Sequence, residues 1–124
     1  MNARVLVADD DAPTLSLVAT ALERLGCQVT RAEDGDELLQ ALAEAGPFDL
    51  FVTDISMPWM TGLQVAHSAR AAGLDTPVIV MTALPIDAAQ VDELGDHAIL
   101  LRKPFGLKQL VSAVHHMLRL NHAA

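Results

Sequence analysis

The chain has 124 residues, 52% of them hydrophobic and 19% charged, a length and balance suited to one ordered domain whose core needs no metal or disulfide support. A formal charge of −8 with only eight Lys and Arg, read as scattered, argues against a nucleic-acid-binding surface, because phosphate backbones are held by clustered basic side chains. Cys27 is the only cysteine, so no internal disulfide is possible and a buried or half-buried small hydrophobe is the expected reading. No apolar run approaches the ~20 residues that span a bilayer. No signal-peptide region precedes the first acidic cluster, and a cytoplasmic location is the expectation.

Taken in order, apolar strand-like runs alternate with helical stretches, the pattern of repeated βαβ units. Val5-Leu6-Val7-Ala8 is the first strand and runs into Asp9-Asp10-Asp11. Pro13 suits a first helical turn, and Leu15, Val18, Ala19, Leu22 and Leu25 recur at helical spacing until Gly26 stops the helix. Cys27 to Ala32 reads as the second strand. A helix from about Asp36 to Ala45 follows, with Leu38, Leu39 and Leu42 inward, and Gly46-Pro47 breaks it. Leu50-Phe51-Val52-Thr53 is the third strand and delivers Asp54. Gly62 to Ala72 reads as the third helix, Pro77 to Met81 as the fourth strand and Asp87 to Leu94 as a short fourth helix. Ile99-Leu100-Leu101-Arg102 is the fifth strand and leads into Lys103-Pro104. The last helix begins near Gly106, with Leu107, Leu110, Val111, Val114 and Leu118 on one stripe. No linker or repeat interrupts this, so one domain is expected to fill residues 1–124.

Runs this short and apolar suit strands buried on both faces of a parallel sheet. Such sheets bind ligands at their carboxyl edge, and right-handed crossovers put every strand's carboxyl end on that edge. If the first, third and fifth runs lie together, Asp9, Asp10, Asp54 and Lys103 meet there: three carboxylates opposite one ammonium. Clustered carboxylates suit Mg²⁺, a hard cation that takes oxygen ligands. A carboxylate can also take a phosphoryl group as a mixed anhydride when something offsets its repulsion from the incoming anion.

The acidic pair after the first strand, the Asp54-x-x-Met57-Pro58-x-Met60-x-Gly62 loop, Thr82-Ala83 after the fourth strand and Lys103-Pro104-Phe105 after the fifth resemble the receiver domain of two-component response regulators. The resemblance covers Arg4 to about Leu120. It implies a flavodoxin-like (βα)5 three-layer sandwich of the α/β class, with a five-stranded parallel sheet in the order 2-1-3-4-5 and five helices. It further implies that Asp54 accepts a phosphoryl group from a histidine kinase or histidine phosphotransfer protein in a Mg²⁺-dependent reaction. Asp10 and Asp54 would be direct metal ligands and the Ser56 backbone carbonyl a third, with Asp9 acting mostly through water. Lys103 and Thr82 would contact phosphoryl oxygens, and the Lys103–Pro104 peptide would be cis and aim the lysine inward. Movement of Thr82 would then alter the surface around the fourth helix, fifth strand and fifth helix for an output partner, with a homodimer possible.

Such a domain is a signalling phosphoacceptor with self-catalysed transfer and dephosphorylation rather than an enzyme. No output domain follows in the chain, which fits either a stand-alone regulator or a receiver from a larger protein. Two departures stand out. Receivers often carry Tyr or Phe three residues before the lysine, where this chain has Leu100: either it takes over the switch, partly exposed and moving toward Thr82 on activation, or it is a static residue locked in the core of the fifth strand. Ser56 and Leu84, two residues after Asp54 and Thr82, offer no carboxylate or carboxamide to orient a hydrolytic water, which favours slow loss of phosphate.

Other acidic residues, Asp11, Asp34, Asp36, Asp87 and Asp92, read as solvated surface, and the five histidines as surface residues. Trp59, in the Asp54 loop, is expected to report binding of Mg²⁺ or a phosphoryl analogue by fluorescence, the alternative being a core tryptophan indifferent to metal. Two other function classes compete: a receiver-like interaction module that works without phosphorylation, and a metal-dependent phosphohydrolase of the haloacid-dehalogenase type. The full set Asp9, Asp10, Asp54, Thr82 and Lys103 counts against the first. Ser56, where the second needs another aspartate, counts against that one.

Overall fold

A computed structural model describes residues 2–55, 61–83, 85, 89–92, 94–95 and 97–122. The elements alternate throughout: β1 (Arg4–Ala8), α1 (Ala12–Arg24), β2 (Gln28–Ala32), α2 (Gly35–Glu44), β3 (Leu50–Asp54), α3 (Gly62–Ala71), β4 (Val78–Thr82), α4 (Ala89–Asp92), β5 (Ala98–Arg102) and α5 (Leu107–His122). All four strand pairings are parallel, and the order is β2-β1-β3-β4-β5, as the resemblance implied. The period-2 alternation of strand side chains divides the core. Leu6, Phe51, Val78 and Val80 face Leu38, Val65, Ala66 and Val91 of α2, α3 and α4. Val5, Val7, Val52 and Met81 face Leu15, Val18, Leu110 and Val114 of α1 and α5. Three layers result.

Local chemistry starts the first three helices. The Asp11 carboxylate accepts from the Thr14 backbone N–H and so caps α1, and Asp34 caps α2 by accepting from Glu37 N–H. Both aspartates thus do more than sit in solvent. The Thr14 hydrogen bonds hold the exposed Asp11 carboxyl below the usual carboxylate range. Thr61 and Gln64 form a reciprocal capping box at α3. After α1, Gly26 adopts φ +90°, a left-handed conformation that glycine reaches at no steric cost. Cys27 is buried, and burial pushes its thiol up, which suits an inert packing role.

Two expectations need correcting. The first, third and fifth runs were all expected to be buried on both faces, and β1 and β3 largely are, but β5 is only half-buried along Ala98 to Leu101. It lies at the edge of the sheet, so no further strand screens its outer side. Leu107 belongs to the apolar stripe of α5 by spacing, yet it is 61% exposed. The helix begins at that residue, so Leu107 extends past the end of the layer that covers Leu110, Val114 and Leu118. Boundaries shift slightly as well. β2 starts at Gln28 rather than Cys27, and β4 runs from Val78 to Thr82, so Thr82 closes the strand instead of following it.

Two arginines fasten the amino edge of the sheet. Arg4 donates to the carbonyls of Ala45 (2.6 Å) and Pro47 (2.9 Å) while its guanidinium lies 5.1 Å from the centre of the Phe48 ring. Arg70, on α3, donates to four carbonyls: Leu74 (3.0 Å), Thr76 (2.7 Å), Leu94 (3.2 Å) and His97 (3.2 Å). One side chain therefore joins the segments entering β4 and β5 to the turn after α4.

Candidate functional site

The opposite, carboxyl edge gathers the charged residues. Asp9 follows β1 and is fully buried, Asp54 ends β3 and is nearly so, and Asp10 is exposed. One carboxylate oxygen from each of these three lies within 4.8 Å of the others. Lys103 enters from the far side of the sheet. Its backbone N–H donates to the Thr82 carbonyl (2.7 Å), and its Nζ donates to Asp9 Oδ2 (2.9 Å) and stands 3.6 Å from Asp54 Oδ1. The Lys103–Pro104 peptide is cis, as is Gly46–Pro47.

Burial alone would pull the Lys103 ammonium down, but the Asp9 hydrogen bond and the charges of Asp54 and Asp9 outweigh it and leave its pKa raised. Asp9 spends its other oxygen on the Asp11 backbone N–H (2.9 Å). With one oxygen on Lys103 and one on an amide, both Asp9 oxygens are already engaged.

Thr82 is buried one residue beyond Met81, which pairs with Asp54 across the β3–β4 ladder. Leu100 is half-buried opposite Val80 and packs against the core beneath α2, α3 and α4. Asp9, Asp10, Asp54 and Lys103 thus meet as the sequence suggested. Ser56, Trp59 and Leu84 lie outside the described residues.

Sequence reading passed over two contributors. The buried Thr53 hydroxyl donates to the Asp54 carbonyl (2.9 Å), next to the residue expected to react. Asp11, through its amide, occupies an Asp9 oxygen; the signal for it was the cap pattern Asp11-x-Pro13-Thr14. The donor set as a whole is carboxylate oxygen, the ligand type that Mg²⁺, Ca²⁺ and Mn²⁺ prefer, so the residues present fit a hard divalent cation. Bound there, such a cation supplies charge neutralisation for an anion at the same edge.

A family model of the response regulator receiver domain matches residues 5–115, which contain every member of this cluster. The chain belongs to that family. Among curated relatives, the response regulator MprA of Mycobacterium ulcerans (strain Agy99) is 36% identical over 120 residues, covering 96% of this chain and 51% of its own length. MprA of Mycobacterium tuberculosis (strain H37Rv) gives the same identity over 96% and 52%. The receiver domain therefore spans about half the length of the curated relatives it matches. Among solved structures, the Francisella response regulator 1452 receiver domain superposes with a TM-score of 0.85 at 31% identity, covering 96% of this chain and 98% of that one. The chemotaxis response regulator CheY4 of Vibrio cholerae gives 0.83 at 28%, over 94% and 99%. Within this receiver domain, no helix among the described residues is long and apolar enough to cross a membrane.

Proposed function

We propose that this receiver domain, acting as one unit over residues 1–124, accepts a phosphoryl group from a histidine kinase or histidine phosphotransfer protein onto Asp54 in the cytoplasm. The observation that carries the proposal is the Lys103 ammonium, 2.9 Å from Asp9 and 3.6 Å from Asp54 at the rim of a three-carboxylate cluster. An Asp54 oxygen attacks phosphorus, the P–N bond to the donor imidazole breaks with its electron pair returning to the ring, and an acyl phosphate forms. Asp10 and Asp54, with the Ser56 carbonyl, would hold Mg²⁺, and Asp9 would act mostly through water. Lys103 places a compact positive charge beside one phosphoryl oxygen, and the Thr82 hydroxyl donates to another. Water later cleaves the anhydride, so the domain catalyses its own charging and discharge without being a turnover enzyme. Intact mass after treatment with a small phosphodonor and Mg²⁺ tests this. The mass of one phosphoryl group should appear, and should not appear when a chelator is in excess; an unchanged mass with Mg²⁺ present would sink the proposal.

The metal role of Asp10 has its own readout. Mg²⁺ should raise the melting temperature of the wild type by mass action and leave that of Asp10→Ala nearly unmoved, since a Mg²⁺ site has few protein ligands to lose. Without metal the variant should melt no lower than wild type. Asp10 is exposed, so relief of its repulsion from Asp54 is screened by solvent and stays within about 0.5 kcal/mol. An equal Mg²⁺ response in the two proteins would place the cation elsewhere.

Output runs through Leu100 in this proposal. The side chain moves toward Thr82 when the hydroxyl turns to the phosphoryl group, and the surface of α4, β5 and α5 changes for a partner. Leu100→Ala should then weaken phosphorylation-dependent partner binding while Asp54 still charges. Its stability cost should fall below the ~2–5 kcal/mol of a fully buried leucine, because Leu100 is only half-buried. Melting and partner binding measured on one sample decide the matter: a large stability loss with intact coupling removes Leu100 from the switch.

A further inference from the structure

The three central strands are apolar between their end residues: Val5-Leu6-Val7 in β1, Phe51-Val52 in β3 and Ile79-Val80-Met81 in β4. Thr53 is the exception. It is fully buried, flanked in register by Ala8 of β1 and Val80 of β4, and strand alternation puts it on the same face as Phe51 and Ile55. Valine has nearly the same shape and no hydroxyl to desolvate, so packing alone does not call for threonine at this position. The hydroxyl donates to the Asp54 carbonyl (2.9 Å), and the N–H of that same peptide group, on Ile55, donates to the Met81 carbonyl of β4 (2.9 Å). The peptide that leaves Asp54 is therefore held from both sides. Lys103 hangs from the next residue of β4, its backbone N–H donating to the Thr82 carbonyl (2.7 Å). The Asp54 carboxylate and the Lys103 ammonium, 3.6 Å apart, are thus both referred to consecutive carbonyls of one buried strand.

We propose that Thr53 is a positioning residue for phosphoryl transfer, one that touches neither the donor nor phosphorus and acts by fixing the backbone from which the Asp54 carboxylate projects. The inference rests on Asp54 being the acceptor. Rocking of the Asp54–Ile55 peptide changes the backbone geometry at Asp54 and carries its carboxylate along. Attack needs the carboxylate oxygen about 3–3.5 Å from phosphorus and in line with the bond that breaks, and a misplacement of about 1 Å costs roughly 10²-fold in rate. With the Ile55 N–H still anchored on Met81, losing the hydroxyl frees the peptide only in part, so a fall of about three- to tenfold is expected. Thr53 and Asp54 project to opposite faces of the sheet, so a substitution at Thr53 changes neither charge nor volume inside the carboxylate cluster.

The test compares the full chain as wild type, Thr53→Val and Thr53→Ser, with saturating Mg²⁺ and a small phosphodonor, at a temperature where all three are folded. Valine keeps the shape and removes the donor; serine keeps the donor and removes a methyl group. The initial rate of phosphoryl mass gain should fall about three- to tenfold in Thr53→Val and stay within about twofold of wild type in Thr53→Ser. In isotope-labelled samples the Asp54 carbonyl carbon resonance should move upfield in Thr53→Val, where it loses a hydrogen bond, and hold its place in Thr53→Ser. Equal charging of wild type and Thr53→Val would overturn this inference and leave phosphotransfer to Asp54 standing. Thr53→Ser as slow as Thr53→Val would overturn it too, since packing and not the hydroxyl would then set the rate. So would a slow Thr53→Val whose Asp54 carbonyl resonance has not moved. A wild type that gains no mass would remove the phosphotransfer reading itself, and this inference with it.

Discussion

Replacing Asp54 with asparagine should abolish phosphate incorporation completely while leaving the fold in place. The amide is nearly isosteric with the carboxylate, but its nitrogen cannot carry the anhydride and its oxygen is a poor nucleophile, so no acyl phosphate can form. The acid-stable, base-labile phosphate of the wild type should therefore be missing from the variant after the same treatment. Stability should stay within about 1 kcal/mol of wild type or rise slightly without metal, because the substitution takes one negative charge from a group in which three carboxylates share one ammonium. Equal labelling of Asp54→Asn would move the acceptor to another residue. Loss of labelling together with loss of the folded state would leave Asp54 a structural residue.

Lys103→Met should produce the largest stability loss among the substitutions at this edge. The fully buried Asp9 carboxylate would keep the Asp11 amide and lose its cation, and breaking such a pair from one side costs about 3–5 kcal/mol when both partners are buried. The Lys103 side chain retains 20% of its exposure, so the lower end, about 3 kcal/mol, is expected, or roughly a 10 °C fall in melting temperature for a chain of this size. The pH dependence has a definite sign. The folded-state pKa of Lys103 is raised above its ordinary 10.5, so its contribution is complete below that value and disappears as pH climbs through the higher folded value. Wild type should thus lose stability at the alkaline end faster than Lys103→Met, and the gap between them should close there. In Asp9→Asn/Lys103→Met the combined cost should fall well short of the two single costs added together, since neither partner is then left alone. A full-size gap persisting at high pH, or strict additivity, would rule out the ion pair.

The sequence was informative where side chains follow a period or sit beside a strand end. Val5-Leu6-Val7-Ala8 and Leu50-Phe51-Val52-Thr53 look like buried parallel strands and are, and Asp9, Asp10, Asp54 and Lys103 meet because parallel connectivity leaves their backbones no other edge. The strand order came from the resemblance alone, since alternation says which elements exist and not which strands are neighbours. That limit also explains β5. Its run is as apolar as those of β1 and β3, and its half-burial depends on a place in the sheet that periodicity does not encode. Arg4 and Arg70 gave no signal at all. Their hydrogen-bond partners are backbone carbonyls, which every residue carries, so no spacing of residue types can announce those bonds.

Arg70 has a consequence for behaviour in salt. Surface pairs such as Arg31–Glu23, with both side chains about half exposed, weaken as ions accumulate around them. The hydrogen-bond partners of Arg70 are neutral carbonyl dipoles, and its guanidinium, whose pKa burial lowers while the charge of Asp75 opposes that, keeps its proton throughout the accessible pH range. Changes in ionic strength should therefore be felt more at the aspartate edge of the sheet than at the junction of α3, β4 and β5, so that one side of the molecule responds to its chemical surroundings while the other supplies a steadier frame.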